Sequence, residues 1–261
     1  MLKEQIKTLA NDALAQLAID LEAGNSQTLT AYLAAMGKFH RYSLNNMLMI
    51  VSQRPDATEV AGFGTWKKLG RWVKKGEKGI SILVPVRYRR KDQPALVEEP
   101  EETVLGYMGG FVFDISQTEG DDLPEFATVE GDVGFYADNL RLFAIDHGIK
   151  IEYVSSLRGA KGVSKGQHIQ ILDSLPAVEE LAVLVHELAH ERLHRADRKP
   201  DIQTRELEAE AVAFVVCCAV GLETNTACAD YISLWGGDAQ ALHDSMVHIH
   251  QASAEILDYL L

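Results

Sequence analysis

The spacing of hydrophobic residues predicts that the first half of the chain begins with helices and continues with strands. Residues 1–23 and 27–37 repeat apolar side chains at helical spacing. A third helix face is marked by four apolar residues, namely Leu44, Met47, Leu48 and Val51. The segments ISILVPV and VLGYMGGFVFDI then read as two pairing strands, the second either continuous or broken at Gly109–Gly110.

The second half of the chain combines strands with longer helical patterns. Its predicted elements are, in order, a helix near 133–147, a strand over 150–154, a glycine-containing turn and strand over 158–172, helices over about 176–195 and 202–220, and a helical tail from about 225. The polar stretch 117–131 separates the halves. We therefore predict an α+β protein with an N-terminal α+β domain over 1–125 and a mainly helical domain over 126–261.

Charge is distributed unevenly between these halves. The chain carries a formal net charge of -13, which for the whole molecule argues against a nucleic-acid partner. Residues 38–91, however, contain 13 Lys and Arg against three acidic residues. This asymmetry predicts two surfaces that bind different partners.

Membrane and secretory signals do not occur in the pattern. No apolar run is long enough to span a bilayer, and residues 1–23 read as an amphipathic helix instead of a signal peptide. The three cysteines include no pair at metal-ligand spacing. We expect a reduced, cytoplasmic protein that has no membrane partner.

The run LAVLVHELAHERLH carries the chemistry of the second half. His186 and His190 are four residues apart, so two imidazoles on one helix face can bind one metal ion. Glu187 is rotated by about 100° from His186, so it can reach a water beside the metal without being a ligand. Such a metal lowers the pKa of its bound water. A nearby carboxylate then removes a proton from that water, which attacks a carbonyl carbon. The alternative, a helix with surface histidines, is disfavoured because the flanking leucines predict burial.

A catalytic zinc site of this type needs a third protein ligand. The candidates are His194, Glu206, Glu208 and Glu210. His194 lies about 12 Å along the helix from the first histidine of the motif, and it reads as a partly exposed residue. Glu206 and Glu210 share a helix face, while Glu208 points elsewhere and reads as a solvated carboxylate. One of the pair can ligate while the other supports a histidine, or both only balance charge near Arg205.

Basic and aromatic residues alternate in the first half in a way that suits single-stranded DNA. Phosphates meet Lys and Arg, and bases stack on aromatic rings. The candidate nucleic-acid-binding residues are Tyr42, Asn45, Trp66, Lys67, Lys68, Arg71, Trp72, Lys74, Lys75 and Lys78. The alternative is that both tryptophans belong to the core and the lysines form a solubilising surface.

Several motifs follow one another in this region. They are Tyr42-Ser43-x-Asn45, Gln53-x-Pro55-x-Ala57-Thr58-x-Val60-x-Gly62-Phe63, Trp66, Gly70-Arg71, Lys75-Gly76-Glu77-Lys78-Gly79, Pro85 and Phe113-Asp114-x-Ser116-Gln117-Thr118. Together they resemble the N-terminal domain of the ArdC-type antirestriction proteins. The resemblance implies a single-stranded-DNA-binding domain followed by a zincin-like metallopeptidase domain, in a protein of a mobile element that protects incoming DNA from restriction.

The helix after the metal motif contains Glu206-Leu-Glu-Ala209-Glu210. This segment resembles the "Glu-x-x-Ala-acid" helix of single-zinc peptidases whose third ligand is glutamate. The resemblance implies that Glu206 is the third ligand and that Glu210 supports a histidine. The ligand pattern favours Zn²⁺ as the cofactor, with Mn²⁺ as the alternative.

These patterns combine into one functional prediction and two alternatives. We predict a metal-dependent peptidase in which Glu187 is the general base, joined to a domain that binds single-stranded DNA, with an unknown protein substrate. One alternative is a DNA-binding protein without enzymatic activity whose metal only stabilises the fold. The other is an acidic DNA mimic that occupies the DNA groove of a restriction enzyme.

Overall fold

Two compact units make up the chain. The computed structural model describes residues 2–23, 25, 27–88, 103–122, 133–194, 198, 200–222 and 239–261. The first unit comprises Met1–Ala13 and Asn45–Leu123, and the second comprises Leu14–Leu44 and Pro124–Leu261. The second unit thus includes residues 14–44, which the sequence had placed with the N-terminal domain, because the helix over 27–38 packs against two helices of the C-terminal half.

The described elements confirm the α+β class. Those before residue 123 are α1 (Leu2–Glu22), α2 (Gln27–Lys38), α3 (Leu44–Gln53), β1 (Val60–Ala61), α4 (Phe63–Lys68), β2 (Arg71–Val73), β3 (Ile80–Tyr88), β4 (Thr103–Asp114) and β5 (Thr118–Gly120). The others are α5 (Val133–Asp146), β6 (Lys150–Val154), β7 (Gly162–Ser164), β8 (His168–Leu172), α6 (Ala177–Leu193), α7 (Ile202–Ala219) and α8 (Ala239–Leu260). The part of the predicted helical tail between 225 and 238 lies outside the described residues.

An antiparallel sheet with strand order β1-β4-β3 forms the centre of the first unit. β4 is continuous through Gly109–Gly110, and it pairs with β3 over the whole length of that strand. Side-chain amides of α3 cover the outer edge of β3. Asn46 bonds the backbone N–H and C=O of Leu83, both at 2.8 Å, and Gln53 bonds those of Ser81, both at 2.9 Å. These amides satisfy the groups that an edge strand leaves unpaired.

The motif that ends β4 forms hydrogen bonds that stabilise the first unit. Asp114 accepts hydrogen bonds from the backbone N–H groups of Thr58 at 2.8 Å and Ser116 at 3.0 Å. Gln117 accepts from the Asp114 backbone N–H at 2.9 Å, which closes a capping box. The motif therefore joins the end of the long strand to the segment before β1.

One short strand was missed because its sequence is polar. Residues 118–120, read from the sequence as part of a linker, form β5, which pairs antiparallel with β2. The Arg71 side chain fastens this pair, since its Nε donates to Oγ1 of Thr118 at 2.8 Å and its Nη1 donates to the carbonyl of Asp121.

The second unit packs helices around α7. This helix is largely buried and contacts α2, α6 and α8. At the α2 contact, a Cβ on Gly37 would lie 3.0 Å from the Ala219 Cβ and from the Val215 carbonyl, so glycine permits the close approach. A three-stranded sheet, ordered β6-β8-β7, contacts α6 through β7 and β8. β7 lies where the sequence predicted only a turn.

Candidate metal site and nucleic-acid surface

Three potential metal ligands converge from α6 and α7. The Nε2 atoms of His186 and His190 lie 3.0 Å apart, as expected for histidines one helical turn apart. Glu206 of α7 places its two carboxylate oxygens 3.5 Å from His186 Nε2 and 3.6 Å from His190 Nε2. One ligand atom from each of the three residues can be chosen so that all lie within 4.8 Å of one another.

The protonation of the two histidines suits metal binding. Burial lowers the pKa of His186, and the charge of Glu210 in the same cleft opposes that shift. Burial and the charges of His186 and His194 lower the pKa of His190 to about 3. Neutral imidazoles are the form that ligates metals. Neighbouring ligand atoms of a tetrahedral ion with bonds of about 2.0 Å are roughly 3.3 Å apart, so these side chains can hold a divalent ion with little rearrangement.

Glu187 lies beside this cluster as a buried carboxylate. Burial and the charge of Glu206 raise its pKa to about 7, while a hydrogen bond from the Ser164 backbone opposes the shift. A carboxylate with a pKa near neutrality can both accept and return a proton, which is the property of a general base.

A cleft of about 1260 Å³ contains the cluster. β7, α6 and α7 line it. Its apolar lining includes two exposed side chains, Val178 from the first turn of α6 and Ile202 from the first turn of α7. Space for a ligand therefore exists directly beside Glu187 and the candidate ligands of the metal.

A second glutamate of α6 is hydrogen-bonded to β7 and to the turn after it, which line the cleft. Glu191 is buried one turn beyond Glu187. It accepts hydrogen bonds from the Ser164 hydroxyl and from the backbone N–H groups of Gly166 at 3.2 Å and Gln167 at 3.0 Å. The sequence analysis did not single out this residue, although a glutamate on the buried face of α6 was a visible signal.

Glu208 and His194 differ from their predicted environments. Glu208, expected to be solvated, is fully buried because α7 is central to its unit. Arg198, His194 and Ser245 all contact its carboxylate. Burial raises its pKa, but these hydrogen bonds outweigh burial and hold the pKa at about 2. The His194 side chain, expected to be partly exposed, is only 3% exposed and faces His190 with its Nδ1, 3.0 Å from the Nδ1 of that residue.

The two tryptophans of the basic segment have different environments. Trp66 is 2% exposed, and its indole N–H donates to the Phe113 carbonyl at 2.8 Å, so it is a core residue. The prediction that Trp66 contacts nucleic acid is therefore wrong, since a buried ring cannot stack on a base. Trp72 on β2 is 51% exposed, and its ring is available for stacking.

The basic candidates also divide into two groups. Lys67, Lys68, Lys75 and Lys78 are exposed on α4 and on the turn after β2. Lys74 is exposed too, although its ammonium donates to the Ser116 carbonyl at 2.9 Å. Arg71 is half-buried, and its guanidinium is hydrogen-bonded to β5; its role in nucleic-acid binding stays a prediction.

The remaining candidates lie in different units. Tyr42 is half-buried in the second unit, and Asn45 is exposed in the first. The sequence analysis missed three exposed aromatic residues of the first unit, namely Phe63, Tyr107 and Phe111. The signal of Tyr107 and Phe111 was weak, because an aromatic residue in a strand is ordinarily taken as core, whereas Phe63 begins α4.

The fold and the candidate ligands together define a two-unit α+β protein with a His-Glu-x-x-His helix. Residues 6–111 match the family model of the N-terminal domain of anti-restriction factor ArdC. The resemblance to ArdC-type antirestriction proteins is confirmed. Within the described residues, no helix is long and apolar enough to cross a membrane.

Two solved structures share the fold. The metal-free crystal structure of the antirestriction ArdC protein from plasmid R388 is 21% identical, with a TM-score of 0.53 over 96% of this chain and 94% of that one. The Mn(II)-bound structure of that protein is 20% identical, with a TM-score of 0.52 over 96% and 97%. An uncharacterized protein of Bacillus anthracis is 27% identical over 98% of this chain. The chain spans about half the length of that relative, 52%.

Proposed function

We propose that the second unit is a divalent-metal-dependent peptidase. The observation that carries this proposal is the convergence of His186, His190 and Glu206 beside the buried carboxylate of Glu187. The Mn(II)-bound form of the R388 protein supports a divalent ion, and the ligand set suits Zn²⁺ or Mn²⁺. Glu210, in the same cleft, is proposed to support the orientation of His186.

The proposed chemistry assigns one task to each group. A bound divalent ion would supply polarisation of a substrate carbonyl and activation of a water molecule. Glu187 accepts the proton that the water loses and returns it to the departing amine nitrogen, because its pKa is about 7. β7 is an edge strand in the wall of the cleft, so an extended peptide can pair with it.

Substitution of the general base tests this activity. Glu187→Gln should retain the metal and lose cleavage of a denatured-protein or peptide-library substrate by at least about 100-fold. Glu179→Gln is the matched control, because Glu179 is on the same helix and lines the same cleft but pairs with Lys161. Equal cleavage by wild type and Glu187→Gln would refute the peptidase proposal.

We propose that the first unit binds single-stranded DNA through α4, β2 and the turn that follows. Trp72 offers a ring for stacking, and Lys67, Lys68, Lys75 and Lys78 offer charges for phosphates. The match of residues 6–111 to the N-terminal domain of anti-restriction factor ArdC supports a role in antirestriction. Protection of DNA from a restriction enzyme that persists in Glu187→Gln would favour a binding-only mechanism over a proteolytic one.

A further inference from the structure

We infer that Glu208 is a positioning residue that, through His194, fixes the tautomer and orientation of the metal ligand His190. This inference rests on the proposed metal site. It concerns a hydrogen-bonded chain that runs from that site into the interior of the second unit.

The chain has three consecutive contacts. His190 points its Nε2 towards His186 and Glu206, and its Nδ1 lies 3.0 Å from Nδ1 of His194. The other nitrogen of His194, Nε2, lies 3.0 Å from a carboxylate oxygen of Glu208. Each imidazole therefore uses both of its nitrogens, one on each side.

The carboxylate at the end of the chain determines where the protons lie. Ionised Glu208 can only accept hydrogen bonds, so Nε2 of His194 carries a proton and donates it. With its proton on the side of Glu208, the His194 ring presents the lone pair of Nδ1 to His190, whose Nδ1–H donates to it across 3.0 Å. Nε2 of His190 is left with a free lone pair, and that lone pair is what a metal ligand needs.

The surroundings of Glu208 keep this end of the chain rigid. Its side chain is fully buried on α7, so water does not compete for the carboxylate. The guanidinium of Arg198 donates to both carboxylate oxygens, and the hydroxyl of Ser245 on α8 adds a further hydrogen bond. Two parallel hydrogen bonds from an arginine fix the plane of a carboxylate. The carboxylate oxygen that accepts from His194 is therefore held in one position.

Loss of the Glu208 charge should weaken the metal site without removing a ligand. Glu208→Gln keeps the size of the side chain, but its amide can donate as well as accept. His194 is then no longer forced to donate from Nε2, and His190 can place its proton on Nε2. Removal of such supporting partners of a ligand histidine typically lowers metal affinity about 10- to 100-fold.

A matched control lies in the same unit. Glu255 on α8 accepts two hydrogen bonds from Arg192, at 3.0 and 2.6 Å, and lies 3.1 Å from Nε2 of His147. It repeats the arginine–carboxylate–histidine arrangement without being joined to a candidate ligand. Glu255→Gln should therefore leave metal affinity unchanged.

The test measures the Kd for Mn²⁺ of the full chain by electron paramagnetic resonance of the free ion. Wild type and Glu255→Gln should bind equally, and Glu208→Gln should bind about 10- to 100-fold more weakly. Equal affinity of all three proteins would overturn the role of Glu208 while leaving the metal site intact. Failure of the wild type to bind Mn²⁺ and Zn²⁺ would instead overturn the metal site itself.

A second measurement reads the tautomers in the wild type itself. Long-range ¹H–¹⁵N correlations of the metal-free wild type report the tautomer of each histidine, with His190 and His194 assigned by single His→Gln substitutions. The inference predicts the Nδ1–H tautomer for His190 and the Nε2–H tautomer for His194. The opposite tautomer at His194 would contradict it.

Discussion

Gly162 of β7 leaves no room for a β-carbon beside Glu187. A Cβ at this position would lie 2.8 Å from both Cγ and Oε1 of Glu187, and 2.6 Å from Cγ1 of Val183. Contacts this short force a neighbouring group to move. The strand that lines the cleft is therefore packed directly against the proposed general base.

Gly162→Ala should consequently impair hydrolysis while sparing metal binding. The added methyl group pushes the Glu187 carboxylate away from its place, and a displacement of about 1 Å near the reacting atoms can cost about 100-fold in rate. Cleavage of a peptide library and the metal content of the same sample measure the two effects. Gly64→Ala is the control, because a Cβ there meets nothing within 4 Å. Full activity of Gly162→Ala would show that the clash is relieved elsewhere.

The helix that carries two of the candidate metal ligands could be predicted from the sequence because its information is local. Histidines four residues apart on a helix face one another in any structure, and the Nε2 atoms of His186 and His190 do so. The environment of Glu208 could not be predicted in this way. A glutamate in α7 reads as exposed until the helices that pack against α7 are known, and this packing is what buries Glu208.

Trp72 should contribute strongly to the proposed DNA binding, because its exposed ring can stack on a base. Trp72→Ala is expected to weaken binding of a fluorescent oligothymidine by about 1–3 kcal/mol. Phe135→Ala is the control, since Phe135 is a similarly exposed aromatic residue of the second unit. Unchanged affinity of Trp72→Ala would remove α4 and β2 from the proposed binding surface.

The exposed lysines of the same surface should make binding depend on salt. Each phosphate contact adds about 0.7 to the slope of log affinity against log salt for single strands. Replacement of Lys67, Lys68, Lys75 and Lys78 by Gln should reduce that slope. Fluorescence anisotropy at several NaCl concentrations measures it, and Lys165→Gln in the second unit serves as the control. A slope that stays at the wild-type value would contradict the assignment.

The contrast between Trp66 and Trp72 shows a limit of reasoning from composition. Both rings occur in one basic segment, six residues apart, and no periodic pattern separates them. Trp66 lies on α4 with its indole N–H bonded to the β4 backbone, whereas Trp72 lies on β2, a strand with a polar partner. The contact of α4 with β4 buries Trp66, whereas β2 pairs with β5, a strand too polar to be predicted, and leaves Trp72 exposed.

His250 should make the stability of the second unit sensitive to mild acid. Burial and the charge of His40 lower its pKa from 6.5 to about 4, against a hydrogen bond to the Tyr42 backbone. The folded state therefore favours the neutral form, so its contribution is complete above about pH 6.5 and is lost as the pH falls towards 4. Between pH 7.5 and pH 5 the loss should be on the order of 2 kcal/mol.

Urea unfolding at these two pH values measures the effect of His250. The free energy of unfolding of His250→Gln should fall less between pH 7.5 and pH 5 than that of the wild type. Gln251→Ala, an exposed and non-titrating position on the same helix, should keep the wild-type pH dependence. An identical pH dependence of wild type and His250→Gln would refute the prediction.

The metal content of the purified chain tests the proposed site most directly. After dialysis against Mn²⁺ or Zn²⁺ and removal of free ion, elemental analysis should find about one ion per wild-type chain. His186→Ala and Glu206→Ala should lose most of it, because each removes one of three ligands. Glu179→Gln, which alters a carboxylate of the same cleft, should keep it. A wild-type chain without bound metal, or a Glu206→Ala chain that keeps a full ion while Glu210→Ala loses it, would contradict the site as described.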